Sequence, residues 1–108
     1  MAKITDIMAY LKSRRPRTSY EKAAKQLALD ILYLKSKKLG TKYDVSVANL
    51  KQSIGYPETW EKDGRIKDFI ADAYIIYKPG ISVKKLLYMA NDYIYTAILK
   101  VNAGSWES

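Results

Sequence analysis

Residues 18–40 read TSYEKAAKQLALDILYLKSKKLG, and this stretch decides the fold. Thr18 followed three residues later by Glu21 is the pattern of a capping box, which predicts the start of a helix. The middle of the stretch is apolar almost all round, and Gly40 is a typical helix stop. A helix that is apolar on several sides packs on several sides. We therefore predict a long central helix over residues 19–38.

Helical spacing of apolar residues also occurs on both sides of this segment. The patterns cover residues 4–11, 47–54, 66–77 and 83–101. The sequence therefore predicts an all-α fold, a compact bundle of about five helices around the central one. We expect a single domain over residues 1–101 and a loose tail over residues 102–108.

One alternative concerns the segment from residue 74 to residue 83. Two short β-prone stretches flank Pro79-Gly80 there, and such a pattern can form a hairpin, as in a winged helix. The helical periodicities on either side are longer, so two helices with a turn between them are the favoured interpretation.

The composition excludes several kinds of chemistry. The chain has neither cysteine nor histidine, which removes disulfides, thiol catalysis, histidine-based triads and the commonest transition-metal ligands. Asp68 and Asp72 lie one helical turn apart and could share a Mg²⁺ ion, but Arg65 and Lys67 nearby favour a surface ion-pair network. We expect a binding protein and not an enzyme, with no catalytic residues, cofactor or metal.

The hydropathy pattern argues against a membrane partner. No apolar run approaches the roughly 18 residues that span a bilayer. The first six residues lack the apolar stretch of a signal peptide. We therefore expect a cytoplasmic protein.

The net positive charge lies entirely in the first half of the chain. Residues 1–53 hold 12 Lys/Arg and 4 Asp/Glu, a net charge of +8, whereas residues 54–108 hold 7 of each. Such an asymmetry is expected when one face of a protein meets a polyanion. It favours a nucleic-acid-binding protein, with DNA expected before RNA, over a merely solubilising surface.

Two basic clusters account for most of this charge, one before and one at the end of the predicted central helix. Arginine's forked guanidinium suits phosphate oxygens, and a neighbouring tyrosine could stack on a base. The candidate nucleic-acid-binding residues are Lys12, Arg14, Arg15, Arg17, Lys35, Lys37, Lys38, Lys42, Tyr10 and Tyr43. At about 1.5 Å per residue the two clusters lie roughly 30 Å apart along the helix. They could follow one strand of nucleic acid, or they could be two unrelated ends.

Residues 45–56 and the segment after them resemble a helix-turn-helix, with a short helix, a turn containing glycine and a second helix. The second helix would carry five carboxylates between residues 58 and 72. A helix that enters a groove walled by phosphates should not be acidic, so we do not expect bases to be read there.

A second function is binding to a protein, as a subunit or small inhibitor of a larger complex. Exposed tyrosines of the last predicted helix, together with Trp60, would then supply most of the binding energy. The candidate partner-binding residues are Trp60, Lys84, Tyr88 and Tyr95.

In size, charge and helical composition the chain resembles small basic helical proteins of archaeal viruses and plasmids. It is also similar to the helix-bundle accessory domains that follow the catalytic domain of archaeal plasmid primases. The resemblance implies a role in replication or transcription control, with contacts to template and nucleotide. It rests on composition and size and covers no motif, so it assigns no role to any residue.

Overall fold

The computed structural model describes residues 2–104, and within them the chain is a bundle of helices. The elements, in chain order, are β1 (Ala2–Lys3), α1 (Ile4–Ser13), α2 (Ser19–Leu39), β2 (Asp44–Val45), α3 (Leu50–Ile54), α4 (Pro57–Lys62), α5 (Gly64–Tyr77) and α6 (Val83–Asn102). The molecule measures 34 × 28 × 20 Å. The predicted all-α bundle is confirmed. The described residues contain six helices, because α4 forms a separate short helix.

The central position of α2 is also confirmed. The Thr18 hydroxyl accepts a hydrogen bond from the Glu21 backbone N–H at 3.2 Å, and the Glu21 carboxylate accepts one from the Thr18 N–H at 3.1 Å. This capping box satisfies amide groups that the first helical turn leaves without partners. The helix then packs against α1, α3, α5 and α6. Its buried residues are Ala23, Ala24, Leu27, Ala28, Ile31, Leu32 and Ser36.

The short β1–β2 ladder was not predicted. Ala2 pairs with Val45 and Lys3 with Asp44 in antiparallel register, and the Lys3 ammonium lies 2.6 Å from the Asp44 carboxylate. The pairing ties the start of α1 to the chain that follows α2. As a result α1 lies along α2, with Lys12 and the arginine segment (residues 14–17) toward the start of α2.

Trp60 is buried, so the prediction that it is exposed is wrong. Its side chain is 1% exposed, and its indole N–H donates a hydrogen bond to the Ile54 carbonyl at 3.0 Å. Gly55 comes between α3 and α4 with φ 98°, and this sharp turn folds α4 back so that the indole covers the end of α3. Trp60 is therefore a core residue and cannot contact a partner in this structure.

The segment from residue 74 to residue 83 forms the end of α5, a turn and the start of α6, so the hairpin alternative is wrong. Lys78 takes a left-handed conformation with φ 45° and ends α5. The Ser82 hydroxyl accepts a hydrogen bond from the Lys85 N–H at 3.2 Å and caps α6. In the predicted tail, Asn102 still belongs to α6, and residues 105–108 lie outside the described part of the chain.

The segment that resembles a helix-turn-helix is interrupted where its second helix would run. α3 and α4 have five and six residues, and Asp63 separates α4 from α5. The Asp63 carboxylate accepts hydrogen bonds from the Arg65 and Ile66 N–H groups at 2.8 and 3.2 Å. Residues 58–68 therefore do not form one continuous helix that could lie in a groove.

Candidate nucleic-acid interface

Within residues 2–104, no carboxylate forms an ion pair with a candidate basic residue. Among residues 2–104, the one ion pair with both partners in that range joins Lys3 and Asp44. Arg14 and Lys35 are half-buried, and the other candidate basic residues are exposed. The exposed ones are Lys12, Arg15, Arg17, Lys37, Lys38 and Lys42. Their charge is therefore available to an external anion.

Arg14 is turned toward α6. Its guanidinium lies 5.9 Å from the centre of the Tyr10 ring and 5.5 Å from that of Tyr93, and Nη1 donates to the Tyr10 hydroxyl oxygen at 3.3 Å. Arg14 lines a depression of about 330 Å³ together with Met89, Asp92, Tyr93 and Thr96. Arg14 therefore holds the arginine segment against α6, whereas Arg15 and Arg17 project into solvent.

Tyr10 is a core residue, so the prediction that its ring stacks on a base is wrong. Its side chain is 8% exposed. It shares the buried face of α1 with Ile4, Ile7 and Leu11, and Arg14 lies over its ring. The packing of α1 against the core buries the Tyr10 ring, and the basic residues next to Tyr10 in the sequence do not indicate that burial.

Lys25 adds a cation to the arginine segment that the sequence analysis missed. Its ammonium donates to the carbonyl oxygens of Arg14 and Lys12 at 2.8 and 3.3 Å, the carbonyls at which α1 ends. A cation is favourable at the C-terminal end of a helix. Lys25 lies in the second turn of α2, and only the way α1 folds back on α2 brings it there.

The outward stripe of α2 carries Tyr33, which the sequence analysis also missed. Lys22, Gln26, Leu29, Tyr33 and Lys37 recur at helical spacing on the side opposite the buried residues. Tyr33 is 52% exposed, and the Lys37 ammonium lies 4.7 Å from the centre of its ring. At an exposed site such a contact contributes about 0.5–1 kcal/mol, which favours one orientation of the ring.

Tyr33 lines two depressions on the surface. The first has a volume of about 390 Å³ and is lined by Thr5, Met8, Ala9, Lys12, Tyr33, Ser36 and Thr41. The second has a volume of about 260 Å³ and is lined by Tyr33, Leu34, Lys37, Arg65, Asp68 and Phe69. Lys12 and Lys37, which belong to different predicted clusters, therefore flank the same exposed ring.

A third depression extends this surface toward the end of α2. It measures about 380 Å³ and is lined by Leu34, Lys35, Lys37, Lys38, Asp63 and Arg65. Arg65 comes from the electrically neutral half of the sequence, and the packing of α5 against α2 places it beside the lysines. We call this surface the basic face, formed by Lys12, Tyr33, Lys35, Lys37, Lys38 and Arg65.

Lys42 and Tyr43 follow α2 in the turn before β2. Lys42 is exposed, and Tyr43 is 37% exposed with its hydroxyl 3.5 Å from the Ser53 hydroxyl. The structure thus keeps both residues at the surface, beyond the end of α2.

Three other tyrosines line a separate cleft between α3, α4 and α6. Tyr56, Tyr88 and Tyr95 are 48%, 39% and 41% exposed and surround a volume of about 500 Å³ with Lys51 and Asn91 among the other lining residues. The Lys51 ammonium lies 5.2 Å from the Tyr56 ring centre.

Glu58 at the rim of this cleft is held by Tyr88. The Tyr88 hydroxyl donates a hydrogen bond to the Glu58 carboxylate, which lowers the pKa of Glu58 and raises the pKa of Tyr88. Lys51 and Lys84 lower the pKa of Glu58 further. Of the predicted partner-binding residues, Lys84, Tyr88 and Tyr95 are at the surface near this cleft, and Trp60 is not.

Comparisons with models of protein families, with characterised proteins and with solved structures give no match for this chain. Among residues 2–104, no helix has both the length and the apolar character of a bilayer-spanning segment.

Proposed function

We propose that the chain is a nucleic-acid-binding module, directed first at DNA, that contacts phosphates through the basic face. The observation that carries the proposal is that Lys12 and Lys37, from two separate basic clusters, flank one exposed tyrosine on the outer side of α2. Lys35, Lys38 and Arg65 extend the same surface. Phosphate oxygens are the natural partners of such unpaired cations.

The size of the electrostatic contribution follows from counterion release. Five cations on the basic face can neutralise up to about five phosphates. Each phosphate contributes about −0.7 to the slope of log K against log salt for a single strand and about −0.9 for a duplex. Between 50 and 200 mM salt we therefore expect the affinity to fall roughly 100- to 500-fold.

A fluorescence titration against labelled single- and double-stranded DNA and RNA, at these two salt concentrations, tests the proposal. We expect saturable binding at 50 mM salt, with DNA bound at least as tightly as RNA, and the stated loss at 200 mM. Absence of binding to all four ligands at 50 mM salt, or an affinity that does not change with salt, would contradict the proposal.

A protein partner at the tyrosine cleft is a second candidate function. The observation that favours it is the cluster of three exposed rings around one cleft, since tyrosine is enriched among the residues that contribute most to protein interfaces. A partner retained from nuclease-treated lysate by the wild-type chain, and lost with Tyr88→Ala/Tyr95→Ala, would support it. Retention by both chains would contradict it.

A further inference from the structure

We propose that the nucleic acid bound at the basic face is single-stranded and that one of its bases stacks on Tyr33. This inference rests on the proposed function and names the class of ligand. It also assigns separate roles to the two depressions beside the ring.

Lys37 contacts the Tyr33 ring from the α5 side, where it also lines the depression. It is not among the residues that line the depression on the α1 side. A planar base in the α1-side depression would therefore reach Tyr33 from a depression that Lys37 does not line. Aromatic faces are the usual stacking surfaces for unpaired bases.

The α1-side depression has the chemistry of a base-tolerant pocket. Met8 and Ala9 supply apolar contacts, and the exposed residues Thr5 and Thr41, each with a hydroxyl, also line it. A hydroxyl can donate or accept a hydrogen bond, so it can pair with the edge of any base. We therefore expect weak dependence on base identity.

Basic side chains line the depressions on both sides of Tyr33. Lys12 lines the depression that the base would enter, while Lys37 and Arg65 line the neighbouring depression. A strand that crosses the outer side of α2 from α1 to α5 would thus place one phosphate near Lys12 and the next near Lys37 and Arg65. Stacking between phosphate contacts is the common arrangement of single-strand binding sites.

A duplex fits this surface less well. Bases in a duplex are stacked on each other, so their faces are not available to a ring that lies between two depressions. Asp68 also lines the α5-side depression, and Asp72 lies one turn further along the same exposed side of α5. These carboxylates would face the phosphate walls of a duplex, whereas a flexible single strand can avoid them.

Substitution of Tyr33 tests the stacking contact. Tyr33→Ala should weaken binding to single-stranded DNA about 5- to 150-fold, the range for loss of one base–aromatic stack. Tyr33→Phe keeps the ring and should bind within about 3-fold of the wild type. The slope of log K against log salt should not change in either variant, because no cation is removed.

Tyr20→Ala is the matched control. Tyr20 is on the same helix and is 44% exposed. Tyr33 follows it by 13 positions, a rotation that places the two rings about 140° apart around α2. We expect Tyr20→Ala to bind as the wild type does. Circular dichroism melting of all three variants shows that each is folded before binding is compared.

The experiment titrates these chains with a labelled single-stranded DNA and with its duplex at 50 mM salt. We expect the single strand to bind more tightly, and Tyr33→Ala to lose affinity for the strand and not for the duplex. Tighter binding of the duplex, or wild-type affinity of Tyr33→Ala for the strand, would overturn the inference and leave the proposed function intact. No binding to either ligand would overturn both.

Photo-crosslinking supplies an independent readout. Single-stranded DNA that carries bromodeoxyuridine should crosslink to the tryptic peptide of residues 26–35, in which Tyr33 is the only aromatic residue. Crosslinks confined to other peptides, such as that of residues 18–22 with Tyr20, would place the base elsewhere and overturn the inference.

Discussion

At the scale of single residues, Trp60 shows how a position that looks exposed becomes part of the core. The segment around it is rich in polar and charged residues, and a lone tryptophan in such a segment suggests a binding residue. The structure instead places it against the carbonyl of Ile54. Tyr10 is a similar case, since only the packing of α1 shows that its ring is covered.

Trp60→Phe should lower the free energy of unfolding by about 1–3 kcal/mol, because the buried Ile54 carbonyl loses its indole donor. Urea denaturation followed by circular dichroism measures the change. The control is Tyr95→Phe, which alters an exposed residue and should stay within about 0.5 kcal/mol of the wild type. Equal unfolding free energies for Trp60→Phe and the wild type would show that the hydrogen bond contributes nothing.

Glu21 should make stability depend on pH. Hydrogen bonds from the backbone of Arg17, then from Thr18, lower the pKa of its carboxyl below the usual range. A depressed folded-state pKa adds stability above the ordinary carboxyl pKa, and this stability is lost as the pH falls through the folded value. Glu21→Gln should therefore destabilise the protein at neutral pH and lose less stability than the wild type between about pH 5 and pH 3.

Thermal melts of the wild type and Glu21→Gln across that pH range check this prediction. The two curves should converge as the pH falls. A constant difference in melting temperature from neutral pH to pH 3 would mean that the charge of Glu21 does not stabilise the cap.

At the scale of helices and strands, the sequence predicts best where periodicity and caps agree. α2 extends one residue beyond the predicted end, and α6 begins at Val83, where the predicted pattern begins. The β1–β2 pair could not be predicted, because two-residue strands carry no alternating pattern. The pattern over residues 47–54 places the start of the third helix too early, because Ser46 exchanges hydrogen bonds with Asn49 and the helix begins at Leu50.

The glycines that end α2 and α3 should differ in their tolerance of a side chain. Gly40 and Gly55 both have φ 98°, so alanine is strained at either position and should cost about 1–3 kcal/mol. A Cβ at Gly40 meets nothing within 4 Å, whereas one at Gly55 would lie 3.3 Å from Trp60 Nε1 and from Thr59 Oγ1. Gly55→Ala should therefore be the more destabilising change.

Urea denaturation of the two alanine variants tests this order. An equal loss of stability would indicate that the Trp60 indole shifts at little cost. A larger loss for Gly40→Ala would contradict the account of the turn between α3 and α4.

At the scale of the whole molecule, the charge asymmetry of the sequence becomes one surface only after folding. The sequence supplies two basic clusters and leaves open whether they act together. Packing of α1 and α5 on either side of α2 brings Lys12, Lys37 and Arg65 around Tyr33. The sequence could not show this, because Arg65 lies in the neutral half and Tyr33 lies in a stretch that is apolar nearly all round. Arg14, one of the candidate nucleic-acid-binding residues, is instead packed on Tyr10 and Tyr93.

The most direct test of the basic face is the salt dependence of single-stranded DNA binding for Lys37→Ala/Arg65→Ala. The matched control is Lys67→Ala/Lys85→Ala, which removes the same charge from exposed positions. Lys67 lies two residues after Arg65 and so points away from it on α5, while Lys85 lies on α6. We predict that the first variant binds more weakly and that the magnitude of its slope of log K against log salt falls by about 1.4, as expected for two lost phosphate contacts. We expect the control to keep the wild-type slope. Equal slopes for the two variants would contradict the assignment of the basic face.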